Sequence, residues 1–109
     1  MVWSKGSKLN ERQFQFEWDK IKAAGNLRKH RVSFEHASTV FSDPRILSTA
    51  DLEHSETGER WFSIGLASNG AMLFIVYTGP ESDPAATKIR LISAREASQT
   101  EVRNYEENV

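Results

Sequence analysis

The sequence predicts an α+β domain, in which two N-terminal helices and one C-terminal helix pack against an antiparallel sheet of about four strands. Three observations support this fold class. The apolar run 71–77 lies between the turn signals Asn69-Gly70 and Gly79-Pro80, and it is too short for a typical buried helix. Neighbouring segments alternate apolar and polar residues, as half-buried strands do. Other segments combine helix caps with apolar residues at helical spacing.

The run 71–77 is predicted to be the central strand of the sheet. Side chains alternate along a strand, so Leu73 and Tyr77 face one way while Phe74 faces the other. Both sets of side chains are apolar, and such a strand needs cover on both faces. Asn69-Gly70 predicts a tight hairpin to the preceding strand. The remaining strands are predicted at 46–49, 59–66 and 87–93, with a longer loop at 79–86.

A strand and a basic helix are predicted before residue 32. Residues 13–18 alternate polar and aromatic side chains, which is typical of a half-buried strand. Asp19 follows as the predicted N-cap of the first helix, because its carboxylate can accept hydrogen bonds from the first free amides. We expect the apolar side chains of this helix to form a buried stripe, namely Ile21, Ala24 and Leu27. The other notable positions are basic: Lys20, Lys22, Arg28, Lys29, His30 and Arg31.

Two further helices are predicted. Asn26 is expected to be structural and to bond the turn before Val32. Ser33 is the expected N-cap of the second helix, which ends at Asp43-Pro44 because the residue before proline disfavours helical geometry. Its buried side chains are predicted to be Phe34, Ala37, Val40 and Phe41. Residues 94–109 have a helical composition, with Thr100 as a cap for the second part and, pointing inward, Ala94, Ala97, Val102 and Tyr105.

Length and composition limit the class of protein. A chain of 109 residues fits one domain, predicted at 13–109 after a flexible polar leader at 1–12. The absence of cysteine excludes disulfide and thiolate chemistry. Since there is also no signal peptide and no apolar run long enough to cross a bilayer, we expect a cytoplasmic protein that does not associate with membranes. The net charge of −1 does not by itself indicate a nucleic-acid-binding protein.

Several chemistries have no motif in the sequence. The histidines His30, His36 and His54 are scattered, and none pairs with a second histidine at ligand spacing, so we expect no metal centre and no cofactor. Asp51 and Glu53 beside His54 leave a divalent ion as a weak alternative. No glycine-rich phosphate loop follows a predicted strand and no GxSxG elbow is present, which argues against a serine hydrolase.

Arginine is concentrated on the predicted strands and at their ends, at Arg60, Arg90 and Arg95. Packed strands hold side chains rigidly, and the guanidinium fork binds phosphate in a bidentate manner. A metal-free ribonuclease needs such cations for the phosphorane, together with a base for the ribose 2′-hydroxyl and an acid for the leaving 5′-oxygen. Other groups that could contribute are Lys29, His30, His54, Glu59 and Tyr105.

The same arginines also allow a simpler interpretation. Arginines on strands often lie on solvated faces or pair with glutamate. Strict alternation also places Arg90 and Arg95 on opposite faces, so the two can share a site only if the chain bends or begins its helix near Ser93. From these residues alone, a ribonuclease and a solvated basic surface both stay open.

Two blocks of the sequence resemble the BrnT family of type II toxins. The first block is Phe16-Glu17-Trp18-Asp19 with Lys22, Asn26 and Lys29-His30, followed by Val32-Ser33-Phe34-Glu35, Val40-Phe41 and Asp43-Pro44. The second block is Glu59-Arg60, a later glycine, and Ile89-Arg90-Leu91-Ile92-Ser93-Ala94-Arg95 with Ala97, Glu101 and Tyr105. The resemblance covers roughly residues 14–107, and the presence of both blocks makes it specific.

The resemblance implies a RelE-like fold and a metal-independent endoribonuclease that inhibits translation by cleaving RNA. Arg60, Arg90 and Arg95 are then expected to stabilise the phosphate and the transition state. His30 and Glu59 are the catalytic candidates for proton transfer, with Tyr105 as another option for that role. The residues expected to contact RNA are Arg28, Lys29 and Tyr105.

The resemblance also implies a partner. A cognate antitoxin with a ribbon-helix-helix DNA-binding part would neutralise the toxin in a hetero-oligomer, which would reach operator DNA only through the antitoxin. Two residues depart from the family pattern. Arg31 stands where glycine usually ends the first helix, so it must adopt left-handed geometry or let the helix continue, and Glu96 stands where a second basic residue is common. These departures favour the alternative function, a weakly or non-catalytic module that binds the antitoxin and autoregulates the operon.

Overall fold

The computed structural model describes residues 14–54, 59–82 and 86–108. The predicted leader at 1–12 lies outside these residues. The elements in chain order are β1 (Phe14–Glu17), α1 (Lys20–His30), α2 (Phe34–Ala37), a 3₁₀ helix (Ser38–Ser42), β2 (Leu47–Ala50), β3 (Arg60–Leu66), β4 (Met72–Ser82), β5 (Thr87–Glu96) and α3 (Gln99–Glu107).

The described strands form one mixed sheet in the order β1-β5-β4-β3-β2. Strands β2 to β5 pair antiparallel, and β1 pairs parallel with β5. The α+β class and the central position of β4 are confirmed, but the sheet has one more strand than the predicted four, and that strand is parallel. Alternation along 13–18 identifies a strand without showing its partner, and the long connection from β1 to β5 permits parallel pairing.

The two faces of the sheet are covered differently. The first, here called the helical face, packs against α1, α2 and the 3₁₀ helix, and its core includes Phe34, Phe41, Leu73, Ile75, Tyr77, Ile89 and Leu91. The second, here called the arginine face, carries Arg60, Arg90 and Arg95. Helix α3 covers one end of the arginine face, where Tyr105 packs with Leu47, Ile64, Met72 and Phe74. The predicted division of residues 71–77 between two apolar faces is therefore confirmed.

Helix α1 begins where the sequence predicts. Asp19 Oδ1 accepts hydrogen bonds from the amides of Ile21 and Lys22, at 2.8 and 3.1 Å. At the other end Arg31 adopts the left-handed conformation, with φ of 61° and ψ of 26°, and its amide donates to Leu27 O at 2.9 Å. The helix therefore ends at Arg31, as it would with glycine.

The prediction of a buried apolar stripe on α1 is wrong. Ile21 is 83% exposed and Leu27 is 47% exposed, and Ala24 is exposed as well. Helix α1 instead buries Asn26. Helix α1 turns its Asn26 side to the sheet because of the edge of β5. Strand β1 pairs only with residues 87–90 of β5, so the backbone of β5 beyond residue 90 needs other hydrogen-bond partners.

Asn26 takes the place of a neighbouring strand at this edge. Its Nδ2 donates to Ala94 O at 2.9 Å, and the Ala94 amide donates to Asn26 Oδ1 at 3.1 Å. The same Nδ2 donates to Val32 O at 3.0 Å, which confirms the expected bond to the turn. A buried polar group left without a partner costs about 1–3 kcal/mol, so this position favours an amide over an apolar side chain.

Helix α2 and the 3₁₀ helix carry the predicted core. Ser33 Oγ accepts from the His36 amide at 3.0 Å, which confirms the cap. The predicted buried side chains are at most 6% exposed, namely Phe34, Ala37, Val40 and Phe41. Strand β3 passes close to this layer at Gly65, where a Cβ would overlap Val40 Cγ1. Only glycine allows so close an approach.

The C-terminal helix starts later than predicted. Strand β5 continues to Glu96, and α3 begins at Gln99. Its cap is Ser98 rather than Thr100: Ser98 Oγ accepts from the Glu101 amide at 3.2 Å, and the Glu101 carboxylate accepts from the Ser98 amide at 2.8 Å. This is a capping box. Residues 94–96 pair with β4, and that pairing overrides their helix-favouring composition.

Strand β4 also runs further than predicted, to Ser82. Gly79 has a φ of 93°, and the pairing with β5 shifts register between Thr78 and Glu81. The strand therefore passes the Gly79-Pro80 signal through a bulge instead of ending there. Residues 83–85 of the predicted loop lie outside the described residues.

We expect Arg31→Gly to raise the free energy of unfolding by about 0.5–1 kcal/mol, because glycine adopts the left-handed conformation without a Cβ penalty. Urea unfolding measures the change. The matched control is Lys29→Gly, inside the last helical turn, which should lower the free energy of unfolding by about 1 kcal/mol. A loss of stability in Arg31→Gly would contradict strain at this position.

Candidate active site on the arginine face

A register shift in β5 places Arg90 and Arg95 on the same face. Arg95 lies opposite Phe74, and Ser93 lies opposite Val76, but the next residue of β4, Tyr77, lies opposite Leu91. Ile92 is therefore an extra residue in β5, and the alternation slips by one at this bulge. Burial shows the same slip, since positions 87, 89 and 91 are buried and the next buried position is 94. Strict alternation, which would separate the two arginines, does not hold here.

The cross-strand register brings Arg60 and Arg90 into one row. Both lie opposite Thr78, one on each side of β4. Since neighbouring strands are about 4.8 Å apart, the Cα atoms of Arg60 and Arg90 are separated by roughly 10 Å across the sheet. Arg95 lies in a different row with Phe74 and Ile64, about 13 Å further along the strand. All three arginines thus share a face, and two of them share a row.

Arg60 and Arg90 have unlike surroundings. Arg60 Nε lies 3.3 Å from Asp51 Oδ2, and the Asp51 side chain is only 3% exposed. Arg90 Nη1 lies 3.6 Å from Glu17 Oε1, with side chains that are 50% and 62% exposed. Exposed ion pairs of this length contribute little to stability. Arg90 is therefore held only loosely by Glu17.

Arg95 is held more firmly. Its Nη1 and Nη2 donate to Glu101 Oε1 and Oε2 at 2.8 and 2.9 Å, and its guanidinium carbon lies 4.3 Å from the centre of the Phe74 ring. The bond from Arg95 to Glu101 raises the pKa of Arg95 against the opposing effect of burial. Burial alone would raise the pKa of Glu101, but the bonds from Arg95 and Ser98 lower it below 4.5. Arg95 thereby ties the end of β5 to the start of α3.

A histidine and an aspartate lie next to Arg60 in the loop after β2. His54 Nδ1 lies 3.1 Å from each carboxylate oxygen of Asp51, and the Asp51 amide donates to Arg60 O at 2.8 Å. Burial would raise the pKa of Asp51, but hydrogen bonds from the ring and amide of His54 lower it. An ionised carboxylate that accepts from Nδ1–H fixes the tautomer and leaves Nε2 available on an imidazole that is 62% exposed.

The sequence placed His54 among the groups that could contribute to a ribonuclease, but it linked Asp51 only to a weak metal alternative. The missed signal was the three-residue spacing between Asp51 and His54, which lets a short turn close the pair. Within 14–54, 59–82 and 86–108, no group of three or more histidine or acidic side chains is arranged to hold a metal ion.

Two phenylalanines lie on the arginine face, Phe74 in the row of Arg95 and Phe62 between the two rows. The rings of Phe62 and Phe74 have centroids 5.2 Å apart and are tilted by 38°, and both are half-buried. Phe62 lies two residues after Arg60 and therefore on the same face. This two-residue spacing could have predicted from the sequence that Phe62 lies on the same face as Arg60. Nothing in the sequence indicated that the ring belongs to a site.

The other predicted site residues lie outside the row of Arg60 and Arg90. Glu59 is exposed just before β3. Tyr105 donates from its hydroxyl to Asp43 Oδ2 at 2.7 Å, and burial together with Asp43 raises the pKa of Tyr105 to about 12. Arg28, Lys29 and His30 belong to the last turn of α1. Among the described residues, no hydrogen bond or ion pair joins these three to the arginines of the sheet.

The chain is similar to one family in sequence and to a solved member in structure. Residues 18–101 match the family described as "Ribonuclease toxin, BrnT, of type II toxin-antitoxin system". The fold matches the crystal structure of the Brucella abortus ribonuclease toxin, BrnT, with a TM-score of 0.50 and 21% identity, over 80% of this chain and 99% of that chain. No curated protein matches the chain. None of the helices in the described part is long and apolar enough to cross a membrane.

We expect Glu101→Gln to lower the free energy of unfolding by about 1–2 kcal/mol at neutral pH, because it weakens both the fork to Arg95 and the helix cap. The folded state holds the pKa of Glu101 below 4.5. Its stabilising effect is therefore present above that value and is lost as the pH falls through the lower, folded-state pKa.

Urea unfolding of wild type and Glu101→Gln over a pH series measures this difference. The difference should be constant near neutrality and should shrink in acid. The control is Glu106→Gln, an exposed position on the same helix, which should change stability by less than about 0.5 kcal/mol. A difference that persists undiminished in acid would show that the charge of Glu101 is not responsible.

Proposed function

Because the chain belongs to the BrnT family of ribonuclease toxins, we propose that it is a metal-independent endoribonuclease that cleaves RNA on its arginine face. The observation that carries the proposal is the row of Arg60, Thr78 and Arg90, which sets two guanidinium groups on either side of β4. The three residues lie on rigid strands, on the part of the face away from the cluster of Tyr105 with Leu47 and Ile64.

The row suits a scissile phosphodiester. Two arginine side chains that start roughly 10 Å apart at their Cα atoms can both reach a phosphate held between them. Such cations neutralise the charge that develops on the phosphorane. The net charge of −1 is compatible with RNA binding, because a locally positive surface attracts a polyanion whatever the overall charge.

The two cations have different roles in this proposal. Asp51 holds Arg60 in one orientation, so Arg60 provides a fixed point of attachment for the phosphate. Arg90 has only a loose contact with Glu17 and moves onto the phosphate as RNA binds. Arg95 stays with Glu101 and positions α3 and Phe74, so we assign it a positioning role rather than contact with the reacting atoms.

Proton transfer is assigned to His54. The 2′-oxygen attacks phosphorus as a base takes its proton, and the bond from phosphorus to the 5′-oxygen breaks as that oxygen gains a proton. His54 is oriented by Asp51 beside Arg60, so its Nε2 can serve one of these steps. Glu59, which immediately precedes Arg60, is the candidate for the other step.

The alternative, a weakly catalytic or non-catalytic antitoxin-binding module, receives no support from the two departures. Arg31 ends α1 with the geometry of glycine, so the corner after α1 is kept. Glu96 lies opposite Leu73 and so belongs to the helical face. It therefore does not reduce the positive charge of the arginine face. In the catalytic proposal the protein inhibits translation through RNA cleavage and is neutralised by a ribbon-helix-helix antitoxin.

We expect Arg90→Ala to reduce RNA cleavage by about 100-fold or more, because it removes a cation that stabilises the transition state. The assay uses purified protein and a defined RNA in the presence of EDTA, and the product bands are quantified over time. Wild type should cleave under these conditions and should become slower as salt is added. The control is Arg103→Ala, an exposed arginine on α3, which should cleave within about twofold of wild type.

Two outcomes of that assay would count against the proposal. Cleavage by Arg90→Ala at the wild-type rate would remove the arginine row from the mechanism. Loss of wild-type cleavage with EDTA, restored by a divalent ion, would overturn metal independence.

A comparison of two histidines tests the proton-transfer assignment. We expect His54→Gln to lower the cleavage rate by about 100-fold, within the usual range for a lost acid or base. His30→Gln, at the end of α1, should leave the rate within about twofold. Circular dichroism verifies that both variants fold. The reverse order of effects would return the role to His30, which the sequence alone favoured.

A further inference from the structure

Helix α1 exposes an apolar stripe that the fold does not use. Ile21 is 83% exposed and Leu27 is 47% exposed, with Ala24, also exposed, between them. Residues three apart lie on the same side of a helix on successive turns, so the three side chains form one strip. Single exposed apolar residues are ordinary on protein surfaces, but a helical strip of them is typical of a contact surface.

The strip lies among positive charges. Lys20, Lys22, Arg28 and Lys29 belong to α1, and the helix contains no acidic residue. None of these four cations takes part in an ion pair within the described part of the chain. Arg28 and Lys29 suit the C-terminal end of the helix dipole, but Lys20 and Lys22 lie at the N-terminal end, where the dipole disfavours cations. Helix stability therefore does not explain the two lysines.

We propose that this apolar and basic surface of α1 binds an acidic amphipathic segment of the antitoxin. The surface consists of Ile21, Ala24 and Leu27 with Lys20, Lys22 and Arg28. Apolar side chains of the partner would cover the strip, and its carboxylates would pair with the flanking cations. The inference rests on membership of a toxin–antitoxin family, which implies such a partner.

The position of the surface also accounts for neutralisation. The pKa of Asp19, the cap of α1, is lowered mainly by bonds from the amides of Lys22 and Ile21, and to a smaller extent by the charges of Lys22 and Arg90. The start of α1 therefore lies within electrostatic reach of Arg90. An acidic segment bound over Ile21 would lie near the row of Arg60, Thr78 and Arg90 and would compete with RNA for that row.

Other occupants fit the surface less well. RNA would pair with the cations but would leave the apolar strip uncovered. A second copy of the chain would bring like charges together in a symmetric contact. The leader at 1–12 carries Lys5, Lys8 and Arg12 against a single acid, Glu11, so it would be repelled. Only an acidic protein segment satisfies both the apolar and the charged parts.

The test measures binding of the antitoxin encoded beside this chain, by calorimetry with purified proteins and without RNA. Leu27→Asp and Ile21→Asp should each weaken binding by at least about tenfold, from the lost apolar contact and the added repulsion of an acidic partner. The matched control is Leu66→Asp, since Leu66 is 43% exposed, and it should bind within about twofold of wild type. Arg28→Glu should weaken binding and reduce its dependence on salt.

Several results would overturn the inference. One is that Leu27→Asp and Leu66→Asp bind the antitoxin with equal affinity. Another is that the wild-type protein does not bind the antitoxin. The inference also fails if the substitutions abolish self-association or RNA binding but leave antitoxin binding unchanged. Because binding is measured without RNA, an absence of cleavage by wild type would count against the proposed function and would not decide this surface.

Discussion

The bulge at Ile92 is the constraint on which the candidate site depends. Leu91 and Ala94 are 2% and 0% exposed, and both belong to the core of the helical face. Two residues three apart cannot point to the same face of a regular strand. An extra residue between them satisfies both. The consequence on the other side of the sheet is that Arg90 and Arg95 come to share a face. Apolar burial under α1 and α2 thus determines where the cations lie.

Asn26 secures the part of β5 beyond the bulge. Its amide bonds both backbone groups of Ala94, and the next residue, Arg95, forms the fork with Glu101 that starts α3. Helix α1 on one side and helix α3 on the other are therefore linked through two consecutive residues of one strand. Substituting Asn26 would disturb the arginine face without touching any arginine, because the strand edge would lose its partner.

The parts of the fold that depend on local pattern could be predicted from the sequence. Asp19 and Ser33 act as caps, and Phe34 and Val40 are buried, because caps and helical spacing are local signals. The start of α3 could not be predicted in this way. Ala94 and Arg95 favour helix by composition, and only their pairing with β4 keeps them in a strand. The exposed strip of α1 was misplaced for a related reason, since spacing shows that residues share a side and does not show what that side contacts.

The candidate site could likewise be predicted only where local signals determine it. Arg60 could be placed opposite Thr78 by counting back from the three-residue turn Ser68-Asn69-Gly70, because this turn pairs Ala67 with Ala71 and so determines the register. Arg90 could not, since two register shifts separate β4 from a regular pairing with β5. Three arginines that look alike in the sequence therefore differ in the structure. Arg95 has a bidentate carboxylate and an aromatic ring, Arg60 has a buried aspartate, and Arg90 has a long, exposed contact. In the proposed function one cation exchanges its partner for substrate, and Arg90 is the candidate because its ion pair is the longest and most exposed of the three.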